Sequence, residues 1–91
     1  MHAVVVRVRI NDVDQAQQAL ESEVVPQVSR APGFKTAYWT RSTDGGDTSG
    51  LSMVVFDSED NARAAADRVP GMVPDTVTLD SVEVREVVAS A

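Results

Sequence analysis

Arg7 and Arg9 stand two residues apart in a run of valines. At that spacing, both side chains leave one face of a strand. A guanidinium keeps its charge at any ordinary pH, and burying it unpaired is very costly. The pair must therefore meet an anion: a carboxylate such as Glu83 or Glu86, or an anionic ligand. Tyr38 and Trp39 are adjacent, so a strand sends them to opposite faces, one toward covering helices and one away. Large rings fill cores and anchor interfaces. His2, the chain's one histidine, is of the residue type most used as a general base. No serine stands in a recognisable relation to it, so a nucleophilic triad is not supported, and His2 reads as a surface residue. Asp44 and Asp47 offer two oxygen donors, far short of a calcium loop, and read as a solvated turn. Gly45-Gly46 lacks the spacing and the lysine of a phosphate loop. No metal site and no cofactor is expected.

Composition narrows the function classes. The 91 residues carry a net charge of −6, with 14 acidic against 8 basic side chains and no basic cluster. Nucleic-acid binding needs a positive footprint, so it is not expected. The chain has no cysteine, hence no disulfide framework or thiolate metal site. The apolar stretch Ala3–Val8 is interrupted by Arg7 and is too short to span a membrane. A cytoplasmic protein without membrane association is expected.

The elements that position these residues follow from periodicity. Residues 3–10 read as a strand, with Val4, Val6, Val8 and Ile10 on one face and Ala3, Val5, Arg7 and Arg9 on the other. Asn11 or Asp12 caps a helix over 12–29, whose stripe is Val13, Ala16, Leu20 and Val24. Pro26 loosens its last turn, and Ala31-Pro32-Gly33 ends it. Phe34–Arg41 is a second strand. A Ser/Thr/Asp/Gly loop follows, then a third strand over 51–56. Asp57 or Ser58 caps a second helix with a narrow stripe of Ala62, Ala65, Ala66 and Val69, stopped by Pro70-Gly71. The last strand runs over 77–88, with a bulge near Asp80-Ser81 where the alternation slips.

The order βαββαβ, in a single domain over 1–91, predicts an α+β, ferredoxin-like fold. Its four-stranded antiparallel sheet has the order 4-1-3-2, with both helices on one face. The apolar first and third strands then lie in the centre. The open face, about 480 Å², is large for a monomer's exposed apolar surface. Two such faces would bury about 1,000 Å², near the threshold of a specific interface. A homodimer, sheet against sheet, is expected.

Ala31-Pro32-Gly33-Phe34 leading into Lys35-Thr36-Ala37-Tyr38-Trp39, then Ser52-Met53-Val54-Val55-Phe56-Asp57-Ser58-Glu59 and the alanine-rich helix, resemble the dimeric α+β barrel superfamily. Its members include antibiotic-biosynthesis-type monooxygenases, stress-responsive barrel proteins and many small bacterial proteins. The resemblance covers nearly the whole chain in element order. It implies a pocket between sheet and helices, where aromatic and polar side chains orient an aromatic substrate. Monooxygenase-like members often carry Glu and Trp in the third strand and a later histidine. Here the third strand has neither, and the second helix has no histidine. Haem-degrading relatives use a histidine ligand, whereas the one histidine here is His2.

Three functions follow as expectations. One is a homodimeric barrel that binds a small apolar or aromatic molecule between sheet and helices. The second is a cofactor-independent monooxygenase acting on an aromatic substrate, for which Tyr38, Trp39, Asn11 and Arg41 are the ligand-contacting candidates. Met53 and the alanine stripe leave room for a modest cavity. The third is a structural dimer without a pocket.

Overall fold

The computed structural model describes all of residues 1–91. In chain order the elements are β1 (His2–Ile10), α1 (Val13–Ala19), a π-helical turn (Leu20–Val24), α2 (Val25–Ser29), β2 (Phe34–Arg41), β3 (Ser49–Phe56), α3 (Glu59–Met72) and β4 (Val77–Glu86). The sheet is antiparallel with order β2-β3-β1-β4, so the apolar β1 and β3 lie in the centre and the polar strands at the edges. This is the expected α+β architecture.

The inner face follows from alternation. Val4, Val54, Phe56 and Ala62 form the buried centre, with Val28 from α2 and Ala65, Ala66 and Val69 from α3 packed around it. Both helical layers therefore cover the same side of the sheet. Phe34 meets Phe56 edge to face, with centroids 6.5 Å apart; such pairs add about 1 kcal/mol beyond area burial.

Local chemistry sets the helix starts. The Gln15 N–H donates to Asp12 Oδ1 (3.0 Å), and the Asn61 N–H donates to Ser58 Oγ (3.2 Å). Each bond satisfies one orphan donor of a first turn. Between α2 and β2 the chain turns at Gly33, whose φ is +80°. A Cβ there would collide with the side chains of Asp57 and Asn61. The Asp57 N–H donates to the Gly33 carbonyl (2.9 Å), which ties this turn to the start of α3.

Four boundaries differ from expectation. The loosening of the first helix is not at its end but in the π turn just before Pro26. Pro26 has no N–H to hold the regular ladder across that turn. Pro70-Gly71 does not stop α3, which runs to Met72; Pro70 falls in the last turn, where little ladder remains to lose. β3 starts at Ser49, because the Ser42 N–H donates to the Ser49 carbonyl (3.0 Å) and lengthens the hairpin. β4 ends at Glu86. The expected bulge is present: Arg7 pairs with Ser81 and Val8 with Leu79, leaving Asp80 as the extra residue.

The open face also departs from its simple reading. Ala3 and Val5 lie on it, yet they are only 2% and 4% exposed. Their cross-strand neighbours are the longer Val55 and Arg85, and Met53 and Glu83, which cover the small side chains. The apolar surface actually offered is Tyr38, Leu51 and Met53.

Candidate binding cavity

The two helical layers are not seated alike. α3 packs on β1, β3 and β4, and α2 on the edge strand β2. α1 makes no comparable contact with any strand, and no residue between Val13 and Ser29 is fully buried. A gap of about 830 Å³ opens between this first helix and the sheet. Its floor includes Val4, Val6, Val8 and Val54, and its roof includes Ala16, Leu20 and Val24. The stripe that should bury this helix thus faces a space instead.

Trp39 and Arg41 line the cavity. Tyr38 and Met53 face each other across β2 and β3 on the opposite side of the sheet, and both are exposed. Alternation divides the two aromatics as expected: Trp39 points to the helices and Tyr38 away. Asn11 lies outside the cavity, where its Nδ2 donates to Thr78 Oγ1 (3.2 Å) at the β1–β4 end. Arg7 lies 3.7 Å from Glu83, which also receives Arg85 at 3.2 Å; Arg9 has no carboxylate within 4 Å. His2 does not line the cavity, and its Nδ1 is buried and unpartnered.

Sequence reasoning missed Ser52, the one buried polar residue of the sheet. It sits directly across from Trp39 and lines the same cavity. Neither its hydroxyl nor the Trp39 indole N–H is hydrogen-bonded within the protein. The two form a small polar spot on an otherwise apolar floor. Its signal was present in Ser52-Met53-Val54-Val55-Phe56, where Ser52 is in phase with the two most buried residues of β3. Gln17, Gln27, Arg30 and Arg68 also line the cavity and went unmarked.

Two carboxyl groups titrate below their ordinary range, and both lie away from the cavity. Asp47 is lowered chiefly by the Ser49 backbone N–H that it accepts (2.8 Å). Glu59 is lowered by the hydrogen bonds and positive charge of Arg63. No cluster of three or more His, Cys, Asp or Glu side chains is placed to hold a metal ion.

Solved structures share this arrangement over its whole length. SnoaB from Streptomyces nogalater, a cofactor-independent oxygenase, superposes with a TM-score of 0.73 at 17% identity, covering 98% of this chain and 94% of that one. An asparagine-to-alanine mutant of SnoaB gives 0.73 at 19% identity, with the same coverage. HapK from Hahella chejuensis gives 0.70 at 13% identity, covering 100% and 96%. The chain shares the α+β, ferredoxin-like fold of these proteins. At these identities the likeness establishes architecture alone. No protein-family model and no curated protein matches the sequence. No helix of the chain is long and apolar enough to cross a membrane.

Proposed function

We propose that this barrel protein binds a small, largely apolar molecule of aromatic type between the first helix and the sheet. The observation that carries the reading is the cavity of about 830 Å³. Ligand pockets fall in the range of roughly 300–1,000 Å³, with apolar walls and a few placed polar groups. This one has valine, leucine and alanine walls with Ser52 and Trp39 on the floor. An interior left open in this way speaks against a structural dimer without a pocket. The test uses the chain's single tryptophan. Neutral N-phenyl-1-naphthylamine should quench Trp39 saturably and gain fluorescence, and filling the cavity with Ala16→Phe should abolish both signals. Failure of the dye to quench Trp39 in the unaltered protein counts against the reading.

The likeness to a cofactor-independent oxygenase supports a second reading, oxygenation of an electron-rich aromatic substrate. In such chemistry the ionised substrate itself donates electrons to dioxygen. A ring methylene becomes a carbonyl: one oxygen atom replaces its two hydrogens, and the other leaves as water. The protein's part is to hold the ring dry and to donate hydrogen bonds to its oxygens, roles open to Trp39 and Ser52. Oxygen uptake with phenolic polycyclic substrates that carry such a ring methylene, lost in Ser52→Ala and Trp39→Phe, is the expected result. No uptake across a broad panel counts against catalysis and leaves binding intact.

The open face supports a homodimer. Tyr38 is 68% exposed, with Met53 and Leu51 beside it, on a face whose pairing would bury about 1,000 Å². Sedimentation at micromolar concentration should show a dimer that Tyr38→Glu converts to monomer. A monomer in the unaltered protein would sink this assembly.

A further inference from the structure

We infer that the ligand of the cavity is an anion, an apolar ring system bearing a carboxylate, sulfonate or phenolate, with Arg30, Arg41 and Arg68 as its counter-charges. This rests on the reading of the cavity as a binding site and adds the charge of what fills it.

The argument begins with the distribution of charge. The chain is acidic, with 14 carboxylates against 8 cations. The cavity lining reverses that balance: it takes three of the cations and only one carboxylate, Asp67. An acidic chain that keeps nearly all its carboxylates out of one apolar cavity has made that cavity attractive to anions. The three arginines come from separate elements: the turn after α2, the end of β2 and the middle of α3. No single helix surface brings them together.

Their lack of partners is the second observation. Arg7, Arg63 and Arg85 each reach a carboxylate within 4 Å. Arg30, Arg41 and Arg68 reach none, and their guanidinium groups make no hydrogen bond within the protein. The chain's paired arginines are thus outside the cavity, and those along it are free. A guanidinium cannot discharge, and its planar fork suits carboxylate, sulfonate and phenolate oxygens. All three are exposed, so a ligand entering the cavity can reach them. An ionised aromatic substrate, the form from which electrons pass most readily to dioxygen, meets the same requirement.

The test compares two dyes of one scaffold, 8-anilinonaphthalene-1-sulfonate and neutral N-phenyl-1-naphthylamine. They differ by the sulfonate. At low salt the sulfonate dye should bind about tenfold more tightly or better, and 0.5 M salt should narrow the gap. Arg41→Gln and Arg68→Gln should each weaken the sulfonate dye severalfold and leave the neutral dye unchanged. Arg63→Gln, the same charge change on α3 outside the cavity, should move neither. Equal affinities, a salt-insensitive ratio, or equal losses with Arg63→Gln would overturn the inference while the cavity reading stands. Failure of both dyes to quench Trp39 would remove the cavity reading itself.

Discussion

Two helical layers cover the same sheet, and only one of them is fastened to it. α3 offers alanines: Ala62 is wholly buried, and Ala65 and Ala66 lie beside the core. Small side chains let a helix axis approach the strands closely, and α3 borders the cavity only along its later turns, Ala65 to Met72. The first helix offers Val13, Ala16, Leu20 and Val24, buries none of them fully, and is interrupted by a π turn. π turns inside helices are frequent at functional sites. Stability resides in one layer and the opening in the other. A fold of this size has few core residues to give up, and it has given them up on one side only.

The sharpest way to break that contrast is to truncate one large side chain on each side. Phe56 is 1% exposed, clusters with Ala62 of α3 and meets Phe34 edge to face. Phe56→Ala should cost about 3–5 kcal/mol, enough to leave so small a domain near unfolding. Leu20 is half-buried over the cavity. Leu20→Ala should cost about 1 kcal/mol, the loss of partial burial without a new void. Urea denaturation with tryptophan fluorescence measures both. Equal costs would mean that the first helix is packed as tightly as α3.

The next contrast is in local opening. Amides of α1 and the π turn should exchange with solvent well before those of α3, because few buried contacts hold them. Saturation with a cavity-binding dye should slow exchange in the first helix and leave α3 as it was. Uniform exchange across the two layers, or uniform protection on binding, would remove the distinction.

The helix caps sharpen it further. Asp12 and Ser58 make equivalent bonds to their first turns, and losing either cap costs about 1 kcal/mol of helix stability. The readouts should differ. Ser58→Ala should lower global stability by that amount, since α3 unfolds with the core. Asp12→Ala should appear mainly as faster exchange in α1, with a smaller global loss, since α1 opens by itself. Matching global losses would contradict independent opening.

The same contrast explains what could be read in the chain. Strand order, the bulge at Asp80 and the opposed facing of Tyr38 and Trp39 were legible because each depends on a period of two or a count of apolar residues. The cavity was not. The stripe of Val13, Ala16, Leu20 and Val24 has the spacing of a seated helix, and nothing in it states that the helix stands off the sheet. Its height over the sheet is long-range geometry that periodicity does not carry. Ser52 was overlooked for a different reason. A single hydroxyl in an apolar strand reads as a tolerated core polar group until its cross-strand neighbour is known to be Trp39. Asn11 was a ligand-contacting candidate, but its amide donates to Thr78 Oγ1 and it does not line the cavity.

The smallest effect concerns charge along the two helices. α3 carries the pair Glu59–Arg63, one turn apart, with Arg63 Nη2 donating to Glu59 Oε2 at 2.7 Å and Nε at 3.1 Å. Residues 13–29 contain no cation; Glu21 accepts only from Gln17 Nε2 (2.8 Å). The Arg63 hydrogen bonds, aided by its charge, hold the Glu59 carboxyl below its ordinary 4.5. A carboxylate with a lowered folded pKa stabilises the folded state fully above the unfolded value. That contribution disappears as pH falls through the folded value. It should therefore be present at neutral pH and fade only in the acid range below 4.5. Both groups are exposed, so the pair adds little to overall stability. The carboxyl carbon of Glu59, followed by NMR against pH, should titrate below 4.5 in the unaltered protein. In Arg63→Gln it should move back toward that value, and the exchange rates of α1 should stay as they were. A midpoint unmoved by Arg63→Gln would show that the pair is absent in solution. A change in α1 exchange would show that the two layers are coupled after all.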